Sequence, residues 1–403
     1  MKKTTLILAG LTTLTFYNEP LMAAENLTQA FTEGDASLSF RYRFEFVDQD
    51  NFDRNANAST IKTRLNYKTK AYKGFSFFVE LDNVTEVFGD NYNSGAGTTP
   101  DRGQFPVVAD PTGSELNQAW VNFNFSDHSF KLGRQRIVLD NQRFVGGVAW
   151  RQNEQTFDAA SFNFKLGTSK LFLSYVDNVN RIFGGDVAAG DHDNQSYLVN
   201  WSNKWQDRHK LVAYYYNIDN ENVAAFSTQT MGVSFDTFWQ LDNSKATLRL
   251  EFAEQSDAAN NPVNYTANYW RVDGGLKFKN INFTLGHEVL EGSATQSGAS
   301  FRTPLATLHA FNGWSDQFLA TPATGLKDTF VGIGWGYNQF KWLVKYHNFS
   351  SESTNQDYGS ELNASVVMNY SKNTSFLLKY AQYESDGFSI DTQKIWFMST
   401  VKF

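Results

Sequence analysis

From about residue 36 onward, apolar and polar residues alternate with a period of two along most of the chain. In the first run, one set of positions is mainly aromatic and the other mainly charged: Leu38, Phe40, Tyr42, Phe44 and Phe46 alternate with Ser39, Arg41, Arg43 and Glu45. Successive side chains of a β-strand point to opposite faces, so such a run has an apolar face and a charged face. The pattern predicts β-strands whose two faces meet different surroundings.

The sequence contains about 18 such segments, most of them long enough for the ~9–11 residues that a tilted strand needs to cross a membrane. They start near residues 36, 59, 75, 115, 128, 156, 168, 193, 208, 224, 244, 264, 281, 325, 340, 357, 373 and 390. Short turns alternate with longer connections, notably 89–114, 141–155, 184–192 and 293–324. Short periplasmic turns and long extracellular loops are typical of outer-membrane barrels. We therefore predict an all-β fold, a transmembrane antiparallel β-barrel of about 18 strands.

The first residues have the layout of a secretory signal peptide. Lys2 and Lys3 precede an apolar run over residues 6–16, and two small residues, Ala23 and Ala24, stand before a polar stretch. The alternative is a buried N-terminal helix. No other apolar stretch approaches the ~20 residues of a transmembrane helix.

We accordingly predict a signal peptide over residues 1–23, with its cleavage site placed only to within a few residues, and one barrel domain over residues 24–403.

Composition narrows the function classes. Aromatic residues make up 16% of the chain, which fits an apolar outer wall with aromatic girdles at the membrane interfaces. The absence of Cys excludes disulfides, thiolate catalysis and Cys-based metal sites. A net charge of −7 argues against nucleic acid as a partner of the whole chain. We expect no cofactor and no metal, because the Asp-rich piece 186–193 lacks the spacing of a tight Ca²⁺ site.

The charged faces of the strands must point into the barrel, because Arg or Lys on the lipid side costs ~2–4 kcal/mol each at the bilayer midplane. The basic residues assigned to the lumen are Arg41, Arg43, Lys62, Arg64, Lys68, Arg249, Arg271, Lys277, Lys341, Lys345 and Lys379. The acidic residues assigned to it are Glu45, Glu80, Asp82, Glu251 and Asp273. Rings of Arg and Lys select for anions, which predicts an anion-preferring channel. The alternative is that these charges pair with each other and brace the wall.

Two segments are not explained by strand alternation, namely residues 132–158 (LGRQRIVLDNQRFVGGVAWRQNEQTFD) and residues 301–328 (FRTPLATLHAFNGWSDQFLATPATGLKD). Both resemble segments of the alginate-export porin family. The resemblance implies an 18-stranded outer-membrane barrel with a basic pore that passes anionic polysaccharide.

Carried over by position, the resemblance implies pore or constriction arginines at Arg134, Arg136, Arg143 and Arg151, with Asp140, Asn141 and Glu154 as their polar partners. Alternation leaves the direction of Arg134 and Arg136 open, because both share a face with Leu132 unless a bulge near Gly133 turns them inward.

The second segment resembles an external loop of the family that is able to fold back over the mouth of the barrel. Trp314 and Asp316 are the residues expected to anchor it.

The last apolar face, which holds Ile395, Phe397, Val401 and Phe403, ends on an aromatic residue. This ending resembles the C-terminal signature by which the barrel-assembly machinery selects its clients. The expected partners are therefore this machinery through Phe403, the lipid and lipopolysaccharide of the outer membrane, and a permeating solute.

We predict an outer-membrane channel of a Gram-negative bacterium for alginate-like or other anionic saccharides or small anionic solutes. The first alternative is a general diffusion porin of low selectivity. A barrel enzyme acting on lipid needs a nucleophile beside a His, and the six His residues are scattered, although Ser59 to Lys62 matches S-x-x-K. A soluble propeller would show a repeat of about 40–50 residues, which the sequence lacks.

Overall fold

The computed structural model describes residues 23–403, so the predicted signal peptide lies outside the described residues except for its last position. A short helix, α1 (Leu27–Thr32), precedes 18 strands. The strands of the first half are β1 (Asp35–Gln49), β2 (Ala56–Lys68), β3 (Phe75–Asn91), β4 (Gly113–Phe125), β5 (His128–Gln135), β6 (Thr156–Leu166), β7 (Ser169–Asn180), β8 (Asp191–Trp205) and β9 (His209–Ile218). Those of the second half are β10 (Thr228–Gln240), β11 (Ser244–Asp257), β12 (Thr266–Phe278), β13 (Ile281–Leu290), β14 (Leu326–Tyr337), β15 (Phe340–Ser350), β16 (Asp357–Asn369), β17 (Thr374–Ser385) and β18 (Thr392–Lys402).

Each strand pairs antiparallel with its neighbours in sequence, and β1 also pairs with β18 in a register that runs from Ser39–Lys402 to Gln49–Thr392. The sheet is therefore a closed 18-stranded barrel, which confirms the predicted fold class and strand number. The predicted strand starts lie within a few residues of the observed ones. The largest departure is at β10, which starts at Thr228 because residues 224–226 form a 3-10 turn.

The two faces of the strands differ as alternation requires. Phe77 on β3, Phe252 on β11 and Tyr346 on β15 belong to an outer face of exposed apolar side chains. Their strand neighbours point into the lumen, where the charged side chains of Arg43 and Glu45 are almost completely buried. Among residues 23–403, no helix has the length and apolar character needed to cross a bilayer.

The connections alternate in length. Turns such as 126–127 and 279–280 close one end of the barrel, and long loops lie at the other. We number the long loops in chain order and use three of them below: L2 (92–112, after β3), L3 (136–155, after β5) and L7 (291–325, after β13).

The buried apolar core lies inside the barrel, where L3 and L7 meet the wall. Val145 of L3 and Leu305 of L7 form a parallel β-bridge. Around it, Phe144 packs at 5.1 Å from Tyr214 of β9 and at 6.0 Å from Phe301 of L7, measured between ring centroids. The outer face of the barrel contacts lipid, so the loops bury their apolar side chains against the inner wall.

Candidate functional site: a lumen narrowed by two loops

L3 enters the lumen directly after β5 ends at Gln135. The Arg136 side chain donates to Glu80 of β3 and to Glu154 at the far end of the same loop. Glu154 also pairs with Arg64 of β2 at 2.7 Å and with Lys62 at 3.8 Å. Burial alone would raise the pKa of Glu154, but Arg64, Arg136 and Lys62 hold that pKa well below its ordinary value. The two ends of L3 are thus fixed to one side of the lumen by ionised groups.

The middle of L3 reaches across to the opposite wall. Arg143, which is buried, donates from Nε to Glu288 of β13 at 2.9 Å and from Nη2 to Asn312 of L7 at 3.1 Å. Glu288 also accepts a hydrogen bond from the Tyr269 hydroxyl of β12 at 2.8 Å. Arg143 therefore joins L3, L7 and the wall at one point.

Arg151 makes a second junction between the two loops and the wall. Its guanidinium lies 3.0 Å from Glu45 of β1 and 2.9 Å from Asp316 of L7. Asp316 in turn pairs with Lys394 of β18 at 3.3 Å. Burial alone would raise the pKa of Asp316, but contacts with His309, Lys394 and Arg151 hold that pKa well below its ordinary value.

L2 joins this junction through Asp110, which pairs with Arg43 at 2.9 Å and accepts the backbone N–H of Gln152 at 2.7 Å. Arg41 donates from Nε to the Gln152 side chain at 2.9 Å and from Nη1 to the Ala149 carbonyl at 2.9 Å. Two arginines of β1 thus bind the backbone and side chains of L3 rather than facing open water.

A cage of aromatic rings surrounds the Lys379 ammonium of β17. Its Nζ lies 4.0 Å from the ring centroid of Trp150 in L3 and 3.7 Å from that of Trp314 in L7, as cation–π contacts require. The same Nζ lies 2.6 Å from Nε2 of His309. Trp150 stacks on the His309 ring at 4.4 Å between centroids, with Arg43 4.3 Å from the Trp150 centroid.

His309 is neutral in this cage. Burial lowers the pKa of His309 to about 3. The charges of Lys379 and Arg151 also lower this pKa, and Asp316 acts in the opposite direction. Lys379 is a donor only, so Nε2 accepts from it, and the ring proton is assigned to Nδ1, which donates to Asp316 at 2.7 Å.

The structure places most of the predicted pore residues around the lumen. Arg41, Arg43, Lys62, Arg64, Arg249, Arg271 and Lys345 lie on the inner face of β1, β2, β11, β12 and β15, whereas Arg136, Arg143 and Arg151 belong to L3. Of these, Arg249 donates to Glu251 at 2.8 Å and Arg271 to Asp273 at 2.7 Å. Lys345 holds its ammonium 3.9 Å from the Phe330 ring centroid.

Two of the predicted placements need correction. Arg134 continues the exposed face of Leu132, because the register of β5 runs without a shift against both β4 and β6. Its guanidinium forms a double hydrogen bond with Asp158 on the same face, at 2.8 and 2.9 Å, so Arg134 is not a pore residue of this barrel. Asp140 pairs with Lys210 of β9 at 2.8 Å and not with an L3 arginine.

Trp314 and Asp316 both hold L7 against the wall, but they do so inside the lumen. The backbone N–H of Trp314 donates to Glu361 of β16, which also accepts the N–H of Ser315 at 3.0 Å. L7 is thus tied to three strands, β16, β17 and β18, by side chains that lie below the mouth.

Several lumen residues escaped the sequence analysis. Glu288 and Glu361 could have been found, since Leu285 and Leu362 are exposed and alternation turns the two glutamates inward. His309 and Trp150 carried no such signal, because they lie on irregular loops whose position depends on contacts with distant strands.

Comparison with known proteins agrees with this architecture. The sequence profile described as alginate export matches residues 33–302. The fold is similar to OccAB4 of Acinetobacter baumannii, with a TM-score of 0.71 and 14% identity over 92% of this chain and 98% of that one. It is also similar to OpdK of Pseudomonas aeruginosa solved with vanillate, with a TM-score of 0.70 and 12% identity over 92% of this chain and 98% of that one.

No curated protein sequence matches the chain. At identities this low the structural likeness shows the fold alone, which is that of a closed 18-stranded antiparallel barrel. Since the family profile covers more than half of the sequence, the chain belongs to the alginate-export family and is an outer-membrane channel built on an 18-stranded barrel.

Proposed function

We propose that this channel prefers anions and passes acidic saccharides, such as alginate-like oligomers, or small carboxylates. The observation that carries the proposal is a group of lysines on the inner face of β11, β12 and β15: Lys245, Lys277, Lys341 and Lys345. Among the described residues, none of these four ammonium groups has a carboxylate oxygen within 4.0 Å.

The arginines of the lumen differ from these lysines, because they are bound to carboxylates or to loop backbone. Arg64, Arg249 and Arg271 each lie within 3 Å of an acidic side chain. We infer that the arginines brace the wall and the loops, as the alternative interpretation of the charges requires. The lysines keep their charge available to a solute.

The wall beside Lys341 and Lys345 is partly formed by glycine, although the Phe330 ring packs on the Lys345 ammonium. Along the inner face of β14 every second residue is glycine, at Gly332, Gly334 and Gly336, and Gly332 pairs with Lys345 across the strands. The stem of Lys345 crosses Gly332, where an added Cβ would come within 3.1 Å of the Lys345 Cγ. Lys341 and Lys345 thus lie beside wall positions without side chains, and rings of such cations favour anions.

Two kinds of permeant follow from this chemistry. A uronate chain carries one carboxylate per sugar and suits a strip of several cations, in keeping with the family to which the chain belongs. An aromatic carboxylate such as vanillate, with which OpdK was solved, is the matching small solute.

The test is the reversal potential of the refolded barrel in a planar bilayer under a KCl gradient. We expect anion selectivity that falls several-fold in the triple variant Lys277→Gln, Lys341→Gln and Lys345→Gln. Block by uronate oligomers or by vanillate should require correspondingly higher concentrations in that variant.

A matched control removes the same charge outside the lumen, with Lys73→Gln, Lys279→Gln and Lys372→Gln, all in short turns between strands. It should behave like the unchanged protein. A wild-type channel that prefers cations or shows no preference would overturn the proposal and leave a general diffusion porin.

We infer further that the barrel-assembly machinery recognises the last strand through Phe403. The Phe403 ring is 69% exposed on the outer face and meets Phe40 edge-on at 6.2 Å between centroids. Deleting Phe403 should reduce the folded protein recovered from cells but not the yield of refolding in detergent. Equal losses in both would contradict this role.

We also propose that residues 1–23 are removed on export. N-terminal sequencing of the protein isolated from outer membranes should find a first residue within a few positions of Ala24, and a chain that still begins at Met1 would contradict the proposal.

A further inference from the structure

The outer face of the barrel has an apolar groove beside the N-terminal helix. It encloses about 370 Å³. Its lining consists mainly of side chains from the lipid-facing side of β2 to β5 and from α1: Phe31, Tyr67, Phe77, Val79, Val121 and Leu132, with Ala119 at its base.

The groove exists because Ala119 is a small residue surrounded by larger side chains. Ala119 pairs with Val79 on β3, while the next outward position on β4, Val121, pairs with Leu132 of β5. The methyl group of Ala119 leaves a space between these longer side chains.

The helix α1 closes the lower end of the groove and is held there by the β2–β3 turn. The backbone N–H of Lys70 donates to the Ala30 carbonyl at 3.0 Å, and that of Ala24 to the Ala71 carbonyl at 2.8 Å. The Phe31 ring stacks on Phe77 at 5.9 Å between centroids. Leu27 and Phe31 remain about half exposed, as in a helix that lies at a membrane interface.

We propose that this groove binds one acyl chain of an anionic phospholipid from the periplasmic leaflet. The groove belongs to the lipid-facing surface, so hydrocarbon must fill it. It begins at the β2–β3 turn, one of the short connections at the periplasmic end, and the periplasmic leaflet of an outer membrane consists of phospholipid. The occupant is therefore a phospholipid rather than lipid A.

The rim of the groove supplies charge for the headgroup. Lys70 and Lys73 lie on the turn next to α1. Lys70 is paired with Glu33 at 2.5 Å, whereas Lys73 is exposed and, among residues 23–403, has no carboxylate within 4.0 Å. Basic side chains at the membrane surface attract anionic lipid, which favours phosphatidylglycerol over phosphatidylethanolamine.

The test is native mass spectrometry of the purified full-length barrel in a mild detergent with added phosphatidylglycerol. We expect one retained lipid per barrel at low excess. Ala119→Leu fills the groove with an apolar side chain that the bilayer tolerates, and it should reduce the retained fraction at least fivefold. Lys73→Gln should reduce the preference for phosphatidylglycerol over phosphatidylethanolamine.

The control is Ala213→Leu, the same substitution at an exposed outward position on β9, far from the groove. It should bind lipid like the unchanged protein, and both variants should keep the heat-modifiable mobility of a folded barrel and the wild-type conductance. Equal lipid retention in Ala119→Leu and Ala213→Leu would overturn the proposal. Displacement of the bound phospholipid by lipid A would also overturn it, whatever the ion selectivity of the pore.

Discussion

At the scale of single residues, His309 is a group in the lumen whose contacts depend directly on its protonation state. It accepts from Lys379 of β17 at Nε2 and donates to Asp316 of L7 at Nδ1, and Arg151 of L3 is a further cation nearby. A proton on Nε2 would remove the acceptor and set a second cation against Lys379.

Mild acid should therefore loosen L7. His309 has a pKa of about 3 in the fold against 6.5 for the ordinary group, so the docked state binds fewer protons. The free energy that docks L7 in the lumen is therefore undiminished above pH 6.5. It falls as the pH drops toward 3, by about 1–2 kcal/mol at pH 5. Current noise in planar bilayers should rise between pH 7 and pH 5.

His309→Gln is the matched variant, because a Gln amide can accept from Lys379 and donate to Asp316 without titrating. It should abolish the rise in noise over this range. Asp316 and Glu154 have pKa values held well below their ordinary range, so they stay ionised in the same window. An undiminished pH effect in His309→Gln would show that another group titrates.

At the scale of elements, the shortness of β5 is what brings L3 into the lumen. β5 ends at Gln135, and β6 starts at Thr156, paired with Asn180 of β7. The chain between them turns inward and pairs with L7 through Val145 and Leu305. The narrowing of the channel thus results from two loops that support each other.

Phe144→Ala should weaken this contact between the loops. The ring is buried among Tyr214, Tyr269 and Phe301, and truncation of a buried Phe costs ~3–5 kcal/mol. Single-channel conductance should increase as the loops withdraw from the wall. Phe252→Ala, at a lipid-facing position, is the control and should leave conductance unchanged; equal conductance in all three proteins would contradict a supporting role for Phe144.

The strands were predictable from sequence and the inward loops were not. Alternation is a local property, so Phe40 and Arg41 reveal the two faces of β1 without knowledge of any other segment. The direction of Arg134 depends on whether a bulge occurs, which alternation alone does not decide. His309 and Trp150 are buried because they contact residues of β17 and β18, which are far away in sequence. A local sequence pattern does not reveal such contacts.

At the scale of the whole molecule, the barrel is closed by the pairing of its first and last strands, and L3 contacts both. Arg151 binds Glu45 of β1 and, through Asp316, Lys394 of β18. Trp150 likewise lies against Arg43 of β1 and 5.8 Å from Trp396 of β18 between ring centroids. The seam is therefore held from inside as well as by its backbone hydrogen bonds.

Arg151→Met should destabilise the entire barrel. The substitution leaves Glu45 and Asp316 buried without this cation, and breaking a buried ion pair typically costs ~3–5 kcal/mol. The temperature at which the heat-modifiable band disappears on electrophoresis should fall. The control is Arg102→Met, which breaks a more exposed ion pair with Glu86 that is worth at most ~1 kcal/mol. This variant should barely change the temperature at which the band disappears. A shift no larger than that of Arg102→Met would contradict this role.

The position of L3 across the seam couples permeability to biogenesis. Any substitution that widens the passage by releasing L3 also removes contacts that hold the two ends of the sheet together. Mutants selected for faster passage of large solutes should therefore be recovered in lower amounts from outer membranes, and second-site changes that restore their abundance should fall on β1 or β18.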